Sequence, residues 1–309
     1  MRRIKENFYY VMKTITFGKT QHFYAKKYKK SRAMRPLTLF EFNDRTRHYL
    51  NDLMMHVQLY QRAARLHPDS FSGYKNKYVG RDVCLIGCGP TLNYYKSVDD
   101  AVYVGVNRAF KHDKIKLDYI FVEDYNTEMF QGLEEYYKMN KKVKRFYGIH
   151  QRHFIGNAGC ISESVAIRHN AARFYTRVRT KHPVHENYIQ NEEFALDITA
   201  EPLTCSGSII FPALQFILYT NPRRIFVYGC DCYAGTHFYS NDNAGGDATW
   251  RNVIEGWHKL KEFISVFYPE TEVISVNPIG LRGLFRDVYT EGFLAQHPEI
   301  DRNSVEILK

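Results

Sequence analysis

Apolar residues along the chain gather into short continuous runs, each ending on a small or polar residue. Asp82-Val-Cys-Leu-Ile-Gly87, Ala101-Val-Tyr-Val-Gly-Val106, residues 117–122 and residues 143–149 are four such runs, and Arg224-Ile-Phe-Val-Tyr-Gly229 and Glu272-Val-Ile-Ser-Val276 are two later ones. Unbroken rather than alternating runs of this length are the pattern of strands buried on both faces of a parallel sheet. Between the later runs, residues 207–219 and 250–267 read as helices, and another helix is predicted from about Leu39 to Leu66 on Phe40, Leu50, Leu53, Met54, Val57, Leu59 and Ala63. Pro68 and the stretch from Ser70 to Gly73 mark its end. The alternation predicts a Rossmann-like α/β fold, a mostly parallel sheet with helices on both faces.

In such sheets ligands bind at the carboxyl ends of the strands, near the point where strand order reverses. The residues that close the runs are therefore the candidates: Gly87 to Thr91, Asn107, Glu123 and Asp124, His150, Cys230 and Asp231, and Asn277. The expected organisation is a basic arm and helix over residues 1–78 and a nucleotide-binding domain over 79–290. Within that domain, a charged, His-rich insertion at 151–203 and a Gly- and Asn-rich lid at 232–249 interrupt the rhythm, and residues 291–309 form a tail.

Charge sharpens this division. The first 36 residues hold eleven Lys and Arg against Glu6 alone and so account for the whole net charge of +10. Phe8, Tyr9, Tyr10, Phe17, Phe23, Tyr24 and Tyr28 interleave with them, a combination suited to an anionic membrane surface or to a partner. No nucleic-acid motif follows. With 309 residues, 44% of them hydrophobic, the chain can bury a full core. Aromatic richness, 24 Tyr and 21 Phe, suits sugar stacking and equally the contacts of a homo-oligomer. The six cysteines are scattered and several lie within apolar runs, which predicts a reducing, cytoplasmic compartment. Cys230-Asp231-Cys232 has no second pair at ligand spacing, so no metal site is expected. No apolar run is long enough to span a bilayer, and no cleavable leader is apparent.

Gly87-Cys88-Gly89-Pro90-Thr91 is the sharpest local feature. Its glycines allow close backbone approach, and a helix starting at Pro90 would offer free N–H groups to a phosphate. Leu92 stands where a dinucleotide fingerprint has its third glycine, and Asn107 rather than an acid follows the second strand, which argues against an NAD-dependent dehydrogenase. Cys205-Ser206-Gly207-Ser208 precedes an apolar helix, either as a plain cap or as a set of donors to a ligand. In the lid, His237 is the candidate general base with Asp247 in reserve, and Tyr233 and Tyr239 are candidate hydrogen-bond donors to a leaving phosphate.

The succession Gly-Cys-Gly-Pro-Thr-Leu, Asn107, Cys-Ser-Gly and Tyr-Gly-Cys-Asp-Cys-Tyr resembles the bacterial sialyltransferases of glycosyltransferase family 42. In that family the first motif runs Gly-x-Gly-Pro-Ser-Leu, the third Ser-Gly, and the fourth Gly-Ile-Asp-Phe-Tyr with a second tyrosine six positions on, the spacing of Tyr233 and Tyr239 here. Val276-Asn277-Pro278 stands where the family has a Pro-Asn stretch. The likeness is one of motifs, spans roughly Asp82 to Arg286 without residues 151–203, and extends to nonulosonate transferases with the same glycine turn. It implies a metal-independent, inverting transfer of an acidic sugar from a CMP-linked donor to a saccharide or lipid-linked glycan acceptor, with no separate cofactor. The donor would be held by Gly87, Cys88, Gly89, Pro90, Thr91, Asn107, Asp124, Ser206, Gly207, Ser208, Asp231 and Asn277. The family's catalytic His, expected near the end of the lid, is replaced by the stretch Asp247 to Asn252. Two alternatives remain: a Mg²⁺-dependent diphosphokinase, for which Glu123 and Asp124 are the adjacent carboxylates, and a non-catalytic nucleotide-binding partner in polysaccharide assembly.

Overall fold

The computed structural model describes residues 57–150, 161–177, 194–233, 235–240 and 247–308, with residues 8, 11, 12 and 54 besides. The chain divides into two compact units, residues 1–52 and 53–309. Of the first, only residues 8, 11 and 12 are described, all helical; the basic arm otherwise lies outside the described residues.

The second unit is built on ten parallel strands. They are β1 (Asp82–Ile86), β2 (Val102–Val106), β3 (Tyr119–Val122), β4 (Lys144–His150), β5 (Ala172–Arg177), β6 (Leu203–Thr204), β7 (Arg224–Tyr228), β8 (Glu272–Val276), β9 (Arg286–Tyr289) and β10 (Glu306–Ile307). Their order in the sheet is β10-β9-β8-β7-β1-β2-β3-β4-β5-β6. The chain thus winds outward from β1 to β6 and returns to place β7 on the other side of β1, in register with Asp82 beside Arg224 and Ile86 beside Tyr228. The order reverses between β1 and β7, so the crevice expected to take a ligand opens where those two strands end.

The described helices are α1 (residues 57–71), α2 (Thr127–Met139), α3 (Glu163–Arg168), α4 (Ile210–Tyr219), α5 (Asp247–Phe267) and α6 (Glu291–Gln296). All ten residues of α4 are buried, as a helix apolar all round must be. With Val253, Trp257 and Leu260 of α5, it packs on Val83, Leu85, Val104 and Phe121 of one sheet face. Leu59 and Ala63 of α1, Met129 and Leu133 of α2 and Ala166 of α3 cover Cys84, Ile86, Ile120 and Val122 on the other. The sheet is therefore clad on both sides, which is why its central strands carry no polar face.

Four expectations change. Helix α1 does not stop at Pro68 but continues to Phe71. The neutral His67 beside it is buried, its Nδ1–H donating to the Ile198 carbonyl at 2.8 Å while Nε2 accepts the Tyr175 N–H at 2.8 Å. The segment after Gly89 is a five-residue 3-10 turn, Pro90–Tyr94, and not an α-helix. Residues 291–309 supply α6 and the edge strand β10, and the division between units falls at residue 52, not at 78.

At the amino ends of the strands Asp82 is buried and receives both Arg223 and Arg224. Arg224 Nε donates at 3.0 Å, and Arg223 Nη2 lies 3.1 Å from either oxygen. Although burial works against the charge, these two guanidiniums hold the carboxyl below its usual range. That clamp ties β1 to β7 at the end opposite the crevice.

Candidate functional site

The turns that follow β1 and β7 are folded into one another. A Cβ on Gly87 would collide with the Gly229 carbonyl, and one on Gly89 with the Asp231 carboxylate. The Gly87 N–H donates to the Tyr228 carbonyl and the Gly89 N–H to the Gly229 carbonyl, both at 2.8 Å. Asp231 then receives the Thr91 N–H on Oδ2 at 3.0 Å and the Thr91 hydroxyl on Oδ1. The glycines are thus required by the β7 turn, and Asp231 occupies the N–H group that the sequence offered to a phosphate. Burial pushes the Asp231 carboxyl up to about 6, while both donations from Thr91 pull it back. Cys88 gives its Sγ–H to the Val106 carbonyl at 3.4 Å, and burial pushes its thiol up to about 12, so it is no thiolate at neutral pH.

The lid begins against this clasp. The Cys88 carbonyl accepts the Phe238 N–H at 3.0 Å, and residues 237 and 240 close a tight turn. That turn lays Tyr239 beside the 3-10 segment Asn107–Lys111, which follows β2 directly. His237 stacks on Tyr239 with ring centroids 4.9 Å apart. Arg108 and Lys111 approach the same ring, 5.5 and 5.1 Å from its centre. Asn107, Arg108, Lys111, His237 and Tyr239 are therefore brought together. Tyr233 is exposed and makes no hydrogen bond among the described residues; the Gly235 backbone passes its ring. Asp247 opens α5, but its side chain, like residue 234 and residues 241–246 of the lid, lies outside the described residues.

A third group sits where β3, β5 and β6 end. Glu123 is buried and accepts the Thr176 hydroxyl on Oε1 and the Cys205 Sγ–H on Oε2 at 3.1 Å. Burial pushes its carboxyl up to about 7; the two donors lower it and the neighbouring Asp124 charge raises it. Asp124 itself is exposed at the strand end, and partial desolvation raises its carboxyl. Because both Glu123 oxygens are engaged by neutral donors inside the protein, Glu123 and Asp124 do not form the open carboxylate pair that Mg²⁺ would need. Cys205 leads into Ser206 and Gly207, both left-handed, and just before α4 the Ser208 hydroxyl accepts the Ile210 N–H at 3.4 Å. Ser206 is half-buried, its Cβ close against Gly256 of α5.

Four non-glycine residues with positive φ stand just past strand ends: Asn107 after β2, Ser206 after β6, Cys232 after β7 and Asn277 after β8. Backbone held in this region costs free energy and gathers at functional edges. Asn277 has a structural use, however. It is buried, its amide donates to the Thr290 hydroxyl at 3.0 Å, and its Oδ1 accepts the Thr290 N–H at 2.8 Å. Its side chain is spent joining β8 to the start of α6 and is not presented to a ligand.

Sequence reading missed Arg108 and Lys111. The run-ending pattern marks Asn107 only, although Asn-Arg-x-x-Lys at a strand end places two cations one helical turn apart. It also missed Thr176 and Arg177 of β5, which fall within the stretch read as an insertion. Arg177 is buried, donating from Nε to the Thr204 hydroxyl at 2.9 Å and from Nη1 to the Tyr60 hydroxyl. Residues 151–160 and 178–193 of that stretch are outside the described residues. Among the described residues no group of three or more His, Cys, Asp or Glu is placed to hold a metal ion, and no helix is long and apolar enough to cross a membrane. Compared with protein-family models, with curated proteins and with solved structures, the chain matches none.

Proposed function

We propose that the chain is a glycosyltransferase that takes an acidic sugar, of the sialic or nonulosonic type, from a CMP-linked donor and places it on a saccharide acceptor for surface-glycan synthesis. The observation that carries the reading is a convergence. The glycine turn, Asn107, the Ser206 turn and the His237–Tyr239 segment, scattered over some 150 residues of sequence, all come to the carboxyl edge of one parallel sheet whose order reverses between β1 and β7. That edge is where this architecture takes nucleotides.

Transfer with inversion requires the acceptor hydroxyl to lose its proton as its oxygen attacks the anomeric carbon, while the bond from that carbon to the phosphate oxygen breaks and CMP departs. His237, held against the Tyr239 ring, is assigned the proton, with Asp247 as the other candidate base. The phenols of Tyr233 and Tyr239 are assigned to the leaving phosphate. Closing of the lid over the donor would exclude water, which competes with the acceptor. The basic aromatic arm is assigned to the inner face of the cytoplasmic membrane, where lipid-linked acceptors reside.

The test is release of CMP from a CMP-linked acidic sugar with EDTA present and a lipid-linked or free saccharide added. Acceptor-dependent release is expected, lowered at least tenfold in His237→Ala and in Tyr239→Phe. Release that requires Mg²⁺, or that is unchanged in both variants, overturns the assignment.

A further inference from the structure

The turn after β2 holds an unusual concentration of unsatisfied polar atoms. Asn107 Oδ1, Arg108 Nε and His112 Nδ1 are all buried with no hydrogen-bond partner, three of the seven such side-chain atoms among the described residues. Buried donors and acceptors are ordinarily paired, so a cluster of exceptions on one short segment calls for a missing partner. Arg108 is the fixed member, its side chain only 22% exposed and its Nη2 donating to the Asn126 Oδ1 at 3.0 Å. Lys111, one turn on, brings a second cation, and both stand over the Tyr239 ring. Among the described residues their carboxylate partner is Glu128, 72% exposed, at 3.7 Å from Arg108 and 3.3 Å from Lys111. An exposed partner of this kind contributes little and is readily exchanged.

We infer that Arg108 and Lys111, walled by Tyr239 and backed by Asn107, form an oxyanion subsite that receives the phosphate or carboxylate of the ligand. The inference rests on the proposed transferase reading for the identity of that ligand, but not for the existence of the site. Arg108 offers its unpaired Nε–H from a buried position, and Lys111 a mobile second charge. The left-handed backbone at Asn107 turns the chain so that these side chains lie at the strand end, next to the crevice. Binding displaces Glu128 and places the anion against the Tyr239 ring, which the 237–240 turn already holds beside both cations. The two cations, rather than the tyrosines alone, then carry the charge of a departing phosphate.

Isothermal titration calorimetry on the full chain without divalent metal tests this with four probes: CMP, cytidine, N-acetylneuraminic acid and pyrophosphate. Arg108→Gln is expected to weaken CMP at least tenfold and leave cytidine unchanged, with Lys111→Gln doing the same to a smaller degree. Glu128→Gln, which removes the competing carboxylate, should tighten CMP severalfold. Circular dichroism confirms folding, and Lys111→Gln, at an exposed position, keeps the test valid if Arg108→Gln is unstable. An Arg108-dependent response confined to CMP and pyrophosphate assigns the site to phosphate; one confined to the sugar acid assigns it to carboxylate. Pyrophosphate binding that depends on Arg108, with no binding of CMP or cytidine, would keep the subsite and remove the transferase reading. CMP binding with affinities for CMP, pyrophosphate and the sugar acid all equal in the parent, Arg108→Gln and Lys111→Gln overturns the subsite and leaves that reading standing, and absence of binding by all four probes overturns both.

Discussion

Replacing Glu123 by Gln should change how the stability of the protein depends on pH, and by an amount that follows from the carboxyl's surroundings. In the folded chain that carboxyl titrates near 7 rather than 4.5, because burial outweighs the hydrogen bonds from Thr176 and Cys205. The folded state therefore binds the proton more tightly than the unfolded state. Glu123's contribution is greatest below pH 4.5, declines as pH rises towards 7, and is constant above it. At about 1.4 kcal/mol per pKa unit, the loss between pH 5 and pH 8 comes to about 2–3 kcal/mol. Glu123→Gln keeps the shape and an acceptor for Cys205 but has no charge to desolvate, so this part of the pH dependence disappears. Asp231 titrates in an overlapping range but is present in both proteins, so its effect cancels in the comparison. Thermal unfolding at pH 5 and pH 8 reads the difference. The parent's Tm should fall further than the variant's by roughly 5–10 °C, at the 2–4 °C per kcal/mol usual for a unit of this size. Equal falls would mean that the carboxyl is not isolated from water and that the junction of β3, β5 and β6 is not built as described.

Other substitutions separate structural from binding roles. Gly89→Ala should lower stability by about 1–3 kcal/mol or more, since the new methyl meets the Asp231 carboxylate and neither turn has room to yield; urea denaturation checks it. Asn277→Ala should cost about 2–3 kcal/mol by the same measurement, through the Thr290 groups left unpaired, while CMP affinity stays as it was. Asp82→Asn should cost about 1–3 kcal/mol at pH 7. Because the Asp82 pKa is depressed, the native stabilisation is present above about pH 4 and is lost as pH falls further, so parent and variant should converge in acid unfolding.

The central sheet was legible because each of its strands is buried on both faces and leaves an uninterrupted apolar run; the six runs coincide with β1, β2, β3, β4, β7 and β8 to within about two residues. The outer strands were not. β5 reads Ala-Arg-Phe-Tyr-Thr-Arg and β9 Arg-Asp-Val-Tyr, with charges that the sheet accommodates only near its margins and that hide the pattern. Helix α2 was also missed, since five buried residues spread over thirteen positions leave no continuous apolar signal. At the site, the glycines and Asp231 stand out in the sequence as run-ending residues, but their partnership was invisible: Thr91 and Asp231 are 140 residues apart in the chain. The same distance problem concealed Glu123 with Thr176 and Cys205, and the meeting of Arg108 with Tyr239. Local composition marks residues able to bind; only the winding of the sheet decides which of them face a ligand and which satisfy one another.

The most direct test of the central claim is a thermal-shift panel of CMP, CDP, UDP, GDP, ATP and NAD, each with and without Mg²⁺. A ligand bound only by the native state adds about 2.7 kcal/mol when present at a hundred times its Kd. A rise in Tm with CMP that needs no metal, larger than with any purine nucleotide, is the result predicted. Stabilisation by ATP with Mg²⁺ alone, or by nothing in the panel, would contradict it.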